Sequence, residues 1–279
     1  MFMSALALLI MQVGPNPSVG AIPDVPDELA NRPQRETADI IETTPSPRSE
    51  YLSRCLALTT GEPEEALDFA QAWRVQVESD LELAQSAHCL GLGLVRLERY
   101  EEARTIFETA SAEAPDTLPA YRARLGAMAG NAALADDKPA TAEPLFAQAI
   151  THATAAGDGA LAASLHVDRA RALVAAGRQE DAAEALASAR AEDPANARAW
   201  LLSATLSRRL DRLGEAQLQI ERAAEIDPRN PVIGLEAGVI AALSGRDDDA
   251  RRSFESVLLV APESTEADRA RAYLEQLAQ

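Results

Sequence analysis

The sequence predicts an all-α, superhelical solenoid of antiparallel helical hairpins. Three observations point to it: a pattern of small and large apolar residues recurs with a fixed period, prolines close most copies of the pattern, and the composition suits helices. Of the 279 residues, 47% are hydrophobic and only 4% aromatic. A chain of this kind can bury a substantial core and favours helices that pack through small side chains.

The period is clearest in the second half of the chain. A small residue is followed at fixed spacing by a large apolar residue, a second small or medium apolar residue and a proline, and successive copies are offset by 34 residues. These copies are Ala182, Leu186, Ala189 and Pro194, then Ala216, Ile220, Ala223 and Pro228, then Ala250, Phe254, Val257 and Pro262. Earlier copies are Ala103, Phe107, Ala110 and Pro115 and, without the proline, Ala142, Phe146 and Ala149. Such a period predicts a stack of similar structural units.

A further small residue precedes each copy by twelve positions. These residues are Gly91, Gly130, Ala170, Ala204 and Gly238. Two antiparallel helices can approach closely only where the side chains at their crossing are small. Gly177 and Gly245 suit the turn between the two helices, and a proline disfavours helix at the residue before it. Each repeat is therefore expected to be one helical hairpin.

These residues resemble the tetratricopeptide repeat family, whose pattern of small, small, aromatic, small and proline they follow over residues 84–264. Trp200 also stands where the family prefers an aromatic residue. The resemblance implies stacked hairpins in a right-handed superhelix, whose first helices line a concave groove and bind other proteins. The longer intervals around Ala142 predict longer helices or loops near residues 117–119 and 154–159.

The sequence predicts that the chain is divided into three parts. Residues 1–21 are expected to be a signal peptide, because Met1 to Val13 form an uncharged apolar run and Val19-Gly20-Ala21 resembles a cleavage site. No Lys or Arg precedes the run, so a cytoplasmic protein stays open as an alternative. Residues 22–49 are expected to be a flexible, proline-rich leader. Residues 50–279 form the repeat domain, with a degenerate hairpin at 51–77, repeats at about 84–117, 123–156, 163–196, 197–230 and 231–264, and a capping helix at 265–277.

Composition argues against several classes of function. The formal net charge of -18 disfavours nucleic acid as a partner, and the apolar run at the start is too short to span a bilayer. The only histidines, His88, His152 and His166, fall in separate repeats without the spacing of metal ligands. We therefore expect no catalytic site, no cofactor and no metal site, and interpret the protein as a non-enzyme.

The two cysteines carry a more specific hypothesis. In the repeat register, Cys55 and Cys89 occupy the same face of successive first helices, about one turn apart. A disulfide is expected if the protein is exported to an oxidising compartment. In the cytoplasm, two buried free thiols acting as small apolar residues are the alternative.

The predicted binding surface is the concave face of the last three repeats. The first-helix side chains not used in packing are Val167, Arg171, Val174, Leu201, Thr205, Arg208, Val232, Leu235 and Val239. An apolar strip flanked by arginines would suit an amphipathic helix or an extended peptide that carries a carboxylate. The alternative is that curvature or the C-terminal helix buries the strip.

The function expected from these features is that of a protein-binding scaffold in the envelope of a bacterium, exported and periplasmic. A cytoplasmic adaptor with the same fold and a self-associating structural protein, whose groove holds a second copy, are the alternatives. The sequence does not identify the partner.

Overall fold

The computed structural model describes residues 49–278, and these form thirteen α-helices without a strand. The expected signal peptide and nearly all of the expected leader lie outside the described residues. The helices are α1 (Ser49–Gly61), α2 (Pro63–Arg74), α3 (Asp80–Arg96), α4 (Tyr100–Glu113), α5 (Pro119–Ala135), α6 (Pro139–Ala155), α7 (Gly159–Ala175), α8 (Gln179–Glu192), α9 (Ala197–Arg209), α10 (Leu213–Ile226), α11 (Pro231–Leu243), α12 (Asp247–Val260) and α13 (Thr265–Leu277). The all-α prediction is confirmed.

The helices pack in chain order. Each one contacts the helix before it and the helix after it, and the odd-numbered helices also contact one another across successive hairpins, as α1 does with α3 and α9 with α11. This is the contact pattern of a solenoid, in which every unit is stabilised by its neighbours. The odd-numbered helices up to α11 are the first helices of the predicted hairpins.

One turn geometry recurs in the five hairpins that carry the repeat pattern. The residue that follows the C-cap of the first helix has a positive φ, between 54° and 76°. The five residues are Glu98, Asp137, Gly177, Asp211 and Gly245. In every case the next residue donates its N–H to the carbonyl five positions earlier, at 2.8 to 2.9 Å. This arrangement satisfies carbonyls that the helix end would otherwise leave without a partner.

The small residues of the repeat pattern lie where a large side chain of the second helix crosses the first. A Cβ atom added to Gly91 would lie 2.5 Å from the Phe107 ring, and one added to Gly130 would lie 2.7 Å from the Phe146 ring. Real Cβ atoms do not approach so closely, because packing at interior density leaves no room for the overlap. The glycines therefore allow each phenylalanine to fill the space between two helices.

The residues inserted in the middle repeats lengthen helices instead of forming long loops. The helices α3, α5, α6 and α7 each have 17 residues, whereas α9 and α11 have 13. As a result, α3, α5 and α7 begin at residues 80, 119 and 159, earlier than the repeat starts of 84, 123 and 163 that the pattern indicated. The pattern marks where helices cross, and it carries no information on how far they extend beyond the crossing.

The last helix, α13, packs on α11 and α12. The Phe254 and Tyr273 rings lie 5.3 Å apart, and Arg251 donates a hydrogen bond of 2.6 Å to the carbonyl of Leu277. Its other face is mostly polar and exposed, which is how solenoids end in water. Within residues 49–278, no helix has both the length and the apolar character needed to cross a membrane.

Candidate functional site

A pocket of about 290 Å³ opens between the first helices α7 and α9. We call it the α7–α9 pocket. Its lining residues are Val167, Ala170, Arg171, Val174 and Ala175 of α7, Leu186 of α8, and Leu202, Thr205, Leu206 and Arg209 of α9. Apart from two arginines and one threonine, all of these side chains are apolar. The volume lies just below the range of about 300–1,000 Å³ that is usual for small-molecule sites, and it would hold one or two large apolar side chains.

The pocket coincides with a change in the repeat pattern. Three hairpins combine glycine with phenylalanine at the helix crossing, as Gly91 and Phe107 do. The hairpin of α7 and α8 instead has Ala170 and Leu186, both of which line the pocket. An alanine Cβ would clash with a phenylalanine ring placed as in the other hairpins, so the two changes belong together. The smaller leucine leaves space that a phenylalanine would fill in part.

Two guanidinium groups lie at the pocket. Arg171 is half exposed and donates one hydrogen bond of 3.1 Å to Asp168, one turn earlier on α7. Arg209 is exposed, and its guanidinium forms no hydrogen bond or ion pair within the described residues. Each arginine therefore keeps donors that can bind a ligand beside the apolar lining.

The structure brings together four of the nine residues predicted to face the groove. Val167, Arg171, Val174 and Thr205 all line the α7–α9 pocket. Val167 is only 1% exposed and belongs to the core cluster of α7, α8 and α9. It forms the floor of the pocket and was wrongly expected to be free of packing, because it stands one turn before Ala170 on the same packed face of α7.

The other five residues do not extend this pocket. Leu201 packs partly buried against the next core cluster, and Val232 is 44% exposed. The Arg208 guanidinium donates hydrogen bonds of 2.7 and 3.3 Å to the carboxylate of Glu236, so it joins α9 to α11. Because both hydrogen bonds hold its guanidinium to a neighbouring helix, Arg208 has a structural role.

At α11 the predicted strip is covered by the C-terminal helix. Leu235 is 8% exposed, and it shares a core cluster with Ala267 and Ala270 of α13, with Val239 packed against the same cluster. Leu235 and Val239 therefore belong to the packing between the last hairpin and its capping helix. The prediction of one continuous apolar groove over three repeats is corrected here: an open apolar pocket is found between α7 and α9, and the strip is closed at α11.

Several pocket residues were missed from the sequence. Ala175, Leu202 and Arg209 follow the predicted positions by one residue each, since α7 and α9 present a wider face than the pattern indicated. Leu186 was recognised only as a repeat residue. The sequence feature at this place is the absence of an aromatic residue at position 186 together with alanine at Ala170. The next hairpin has the same combination in Ala204 and Ile220, which do not line the pocket, so this feature alone does not identify the site.

Cys55 and Cys89 form a disulfide between the first helices α1 and α3. Their Cα atoms lie 6.0 Å apart, and both residues are fully buried. The two cysteines are 34 residues apart in the sequence, and they join the facing sides of two successive first helices. The bond ties the N-terminal hairpin, whose repeat pattern is the most degenerate, to the rest of the solenoid.

The three histidines lie on three different helices, and none of them lines the pocket. The Nδ1 atom of His88 lies 3.2 Å from the hydroxyl of Tyr121. Burial lowers the pKa of His88 and raises the pKa of Tyr121 to about 12. In the part of the chain that the structure describes, no cluster of three or more His, Cys, Asp or Glu side chains could hold a metal ion.

Comparison with known proteins agrees with this architecture. Residues 167–231, which include all of the residues that line the α7–α9 pocket, match the tetratricopeptide repeat family. No curated protein matches the chain in sequence. The structure of PilW, a widely conserved type IV pilus biogenesis factor, is similar with a TM-score of 0.61 at 15% identity, over 80% of this chain and 97% of PilW.

Two further solved structures are similar. PilF of Pseudomonas aeruginosa has a TM-score of 0.59 at 15% identity, over 81% of this chain and 97% of PilF. YrrB, described as a TPR protein with an unusual peptide-binding site, has a TM-score of 0.50 at 19% identity, over 68% of this chain and 92% of YrrB. Identities this low show a shared fold. The resemblance seen in the repeat pattern is thereby confirmed: the chain has the tetratricopeptide repeat fold, and residues 167–231 carry the family's sequence.

Proposed function

We propose that this chain is a non-catalytic, protein-binding scaffold of the bacterial envelope, and that the α7–α9 pocket receives a peptide or helix of its partner. Proteins of this fold present extended surfaces made from successive repeats, and such surfaces suit protein ligands. The proposal concerns the place of binding and the compartment. It assigns no reaction to the chain.

The observation that carries the proposal is the open apolar pocket between two first helices. Leu202, Val174 and Thr205 are half-buried there and can be covered by a partner. Removing apolar side chains of this kind from water contributes roughly 25 cal/mol per Å². A pocket of this size, edged by two arginines, would provide both an apolar anchor and a charged contact for a protein ligand.

The disulfide supports the proposal that the protein resides in an oxidising compartment. A bond such as that between Cys55 and Cys89 forms and persists in the periplasm and other oxidising compartments, and is rare in the cytoplasm. The signal peptide expected over residues 1–21 would bring the chain to such a compartment. Fractionation of bacterial cells that express the native gene, with mass spectrometry of the protein's N-terminus, tests this part. We expect a periplasmic chain that begins after Ala21, and a cytoplasmic chain that keeps Met1 would contradict it.

Site-specific photo-crosslinking in those cells tests the binding site. A photoreactive phenylalanine analogue at Val174 lies in the pocket, and the same analogue at Leu259, which is 84% exposed on α12, is the control. We expect a crosslinked partner protein from Val174 and none from Leu259. Equal adducts from both positions, or none from Val174, would overturn the site. An adduct made of two copies of this chain would support the self-associating alternative instead.

A further inference from the structure

We propose that the α7–α9 pocket is selective for an extended peptide segment in which an apolar side chain stands directly beside an Asp or Glu. The apolar side chain enters the pocket, and Arg171 and Arg209 bind the carboxylate. This inference rests on the proposed function, since it names the chemistry of the ligand at the same site.

The apolar part of the ligand follows from the lining. Leu186, Leu202 and Leu206 surround the pocket from two different helices, and Val167 closes its floor. A polar side chain placed there would lose its hydrogen bonds to water and find no partner among these groups, which is costly. The volume of about 290 Å³ accepts a side chain such as Leu, Ile, Met or Phe.

The acidic part of the ligand is inferred from the hydrogen bonds that the arginines make and leave unmade. Most arginines around the pocket already have partners: Arg169 donates to Glu143 at 2.7 Å, Arg212 donates to Glu180 at 2.7 Å, and Arg190 lies over the Trp200 ring at 4.7 Å. The two that line the pocket have between them one hydrogen bond to a side chain.

The chain has 44 acidic and 26 basic residues. Acidic side chains are abundant enough to pair with most guanidinium groups at the surface. Two arginines with donors to spare, on opposite helices of one apolar pocket, therefore complement a carboxylate on the ligand. Arginine binds carboxylates through charge-assisted and often paired hydrogen bonds.

The carboxylate is assigned to a side chain and not to the end of the partner chain. One recurring mode captures a terminal carboxylate through backbone N–H groups that have no other partner. The pocket residues lie from the middle of α7 and α9 to the C-terminal ends of these helices and in the middle of α8, where backbone N–H groups belong to the helix ladder. Among the lining side chains, the guanidinium groups of Arg171 and Arg209 and the hydroxyl of Thr205 can donate hydrogen bonds. The two long guanidinium-bearing side chains suit a carboxylate on a side chain of variable reach.

Selection from a peptide library tests the inference with the purified full chain. The probe is a displayed library of random heptapeptides with fixed residues on both sides, so that no peptide has a free C-terminus. A second library ends in a free carboxylate. We expect the flanked library to yield peptides with Asp or Glu next to a large apolar residue. A synthetic consensus peptide should bind about 10- to 100-fold more tightly than the same peptide with Gln for Glu.

Matched variants assign the charge preference to the pocket. Arg171→Gln with Arg209→Gln should remove the preference for Glu over Gln, whereas Arg198→Gln, an exposed arginine of α9 outside the pocket lining, should keep it. Circular dichroism confirms that each variant is folded. The inference is overturned if no peptide is enriched, if selected peptides lack the acidic neighbour, if only the free-carboxylate library yields binders, or if the double variant keeps the preference. A partner crosslinked from Val174 without this preference would leave the proposed function intact.

Discussion

Phe254 lies so close to Gly238 that a Cβ atom added to the glycine would be 2.3 Å from the phenylalanine ring. Gly238→Ala should therefore force the ring or the helix α11 to move. Overpacking of this kind costs about 1–3 kcal/mol, and we expect the urea midpoint of the last hairpin to fall accordingly.

Gly214 provides the control. It also lies in a helix, α10, but a Cβ atom added there meets nothing within 4 Å. Gly214→Ala should stabilise the protein by up to about 1 kcal/mol, because alanine has the higher helix propensity and loses less conformational entropy on folding. If Gly238→Ala and Gly214→Ala have the same effect on stability, the packing account of the repeat is wrong.

Reduction of the disulfide should act locally. In the chain-entropy model, closing the loop between Cys55 and Cys89 contributes about 3–4 kcal/mol. Because repeats are stabilised by their neighbours, the loss should fall mainly on α1 and α2 and only weakly on α11 to α13. Hydrogen exchange with and without reductant measures both regions. Thiol titration of the unfolded, unreduced protein should find no free thiol.

The double variant Cys55→Ala with Cys89→Ala is the control for this experiment. Its exchange should resemble that of the reduced native chain and should not respond to reductant. Protection of α1 and α2 that is unchanged by reductant in the native chain would show that the bond does not stabilise the N-terminal hairpin.

Stability should decrease as the pH falls from 7.5 to 5.5. Burial lowers the pKa of His88, His152 and His166 below the ordinary value of 6.5. Below pH 6.5 the unfolded chain therefore binds more protons at these histidines than the folded chain does. The contribution of the neutral histidines to the free energy of unfolding is fully present above pH 6.5 and is lost as the pH falls below it. Each histidine contributes at most about 1.4 kcal/mol per pH unit.

Urea unfolding at several pH values checks this slope, and His88→Gln should make it shallower. Acidic groups act in another window: hydrogen bonds from Arg104 and Lys138 lower the pKa of Glu101 to about 2, so its contribution is lost only below about pH 4.5. A stability that is flat or rises between pH 7.5 and 5.5 would contradict the role assigned to histidine burial.

The sequence was sufficient to predict the hairpins because their packing is local and periodic. The close approach of Gly91 and Phe107 is visible as a spacing that recurs in other repeats. The turns were predicted only in part. Gly177 and Gly245 indicate a positive φ in the sequence, whereas Glu98 and Asp211 adopt the same geometry without a glycine. At these positions the surrounding helices and the hydrogen bond of the helix cap determine the backbone conformation. The local sequence carries no signal for that conformation.

The candidate site was predicted less well, for a physical reason. A repeat pattern identifies the side chains at each crossing, but exposure depends on contacts between hairpins and on the end of the stack. Leu235 is buried because α13 covers it, and Arg208 is bound by Glu236 of the next first helix. Neither contact follows from the period. The pocket lies where Leu186 stands in place of the phenylalanine of three other hairpins, and the repeat period alone does not mark it.

The central claim, that the α7–α9 pocket binds the partner, can be tested by filling the pocket with the repeat's own alternative residues. Ala170→Gly with Leu186→Phe recreates the pair that is native at Gly91 and Phe107, so the variant should fold. The matched control, Ala204→Gly with Ile220→Phe, makes the same exchange in the next hairpin, where neither residue lines the pocket.

The decisive measurement is the yield of the partner crosslinked from Val174 in cells that carry each double variant, with expression and helicity measured in parallel. The account predicts that filling the pocket reduces the yield at least about tenfold, as expected when an anchor worth about 1.4 kcal/mol or more is lost, while the control retains the yield of the native chain. Equal yields from the two folded variants would contradict it.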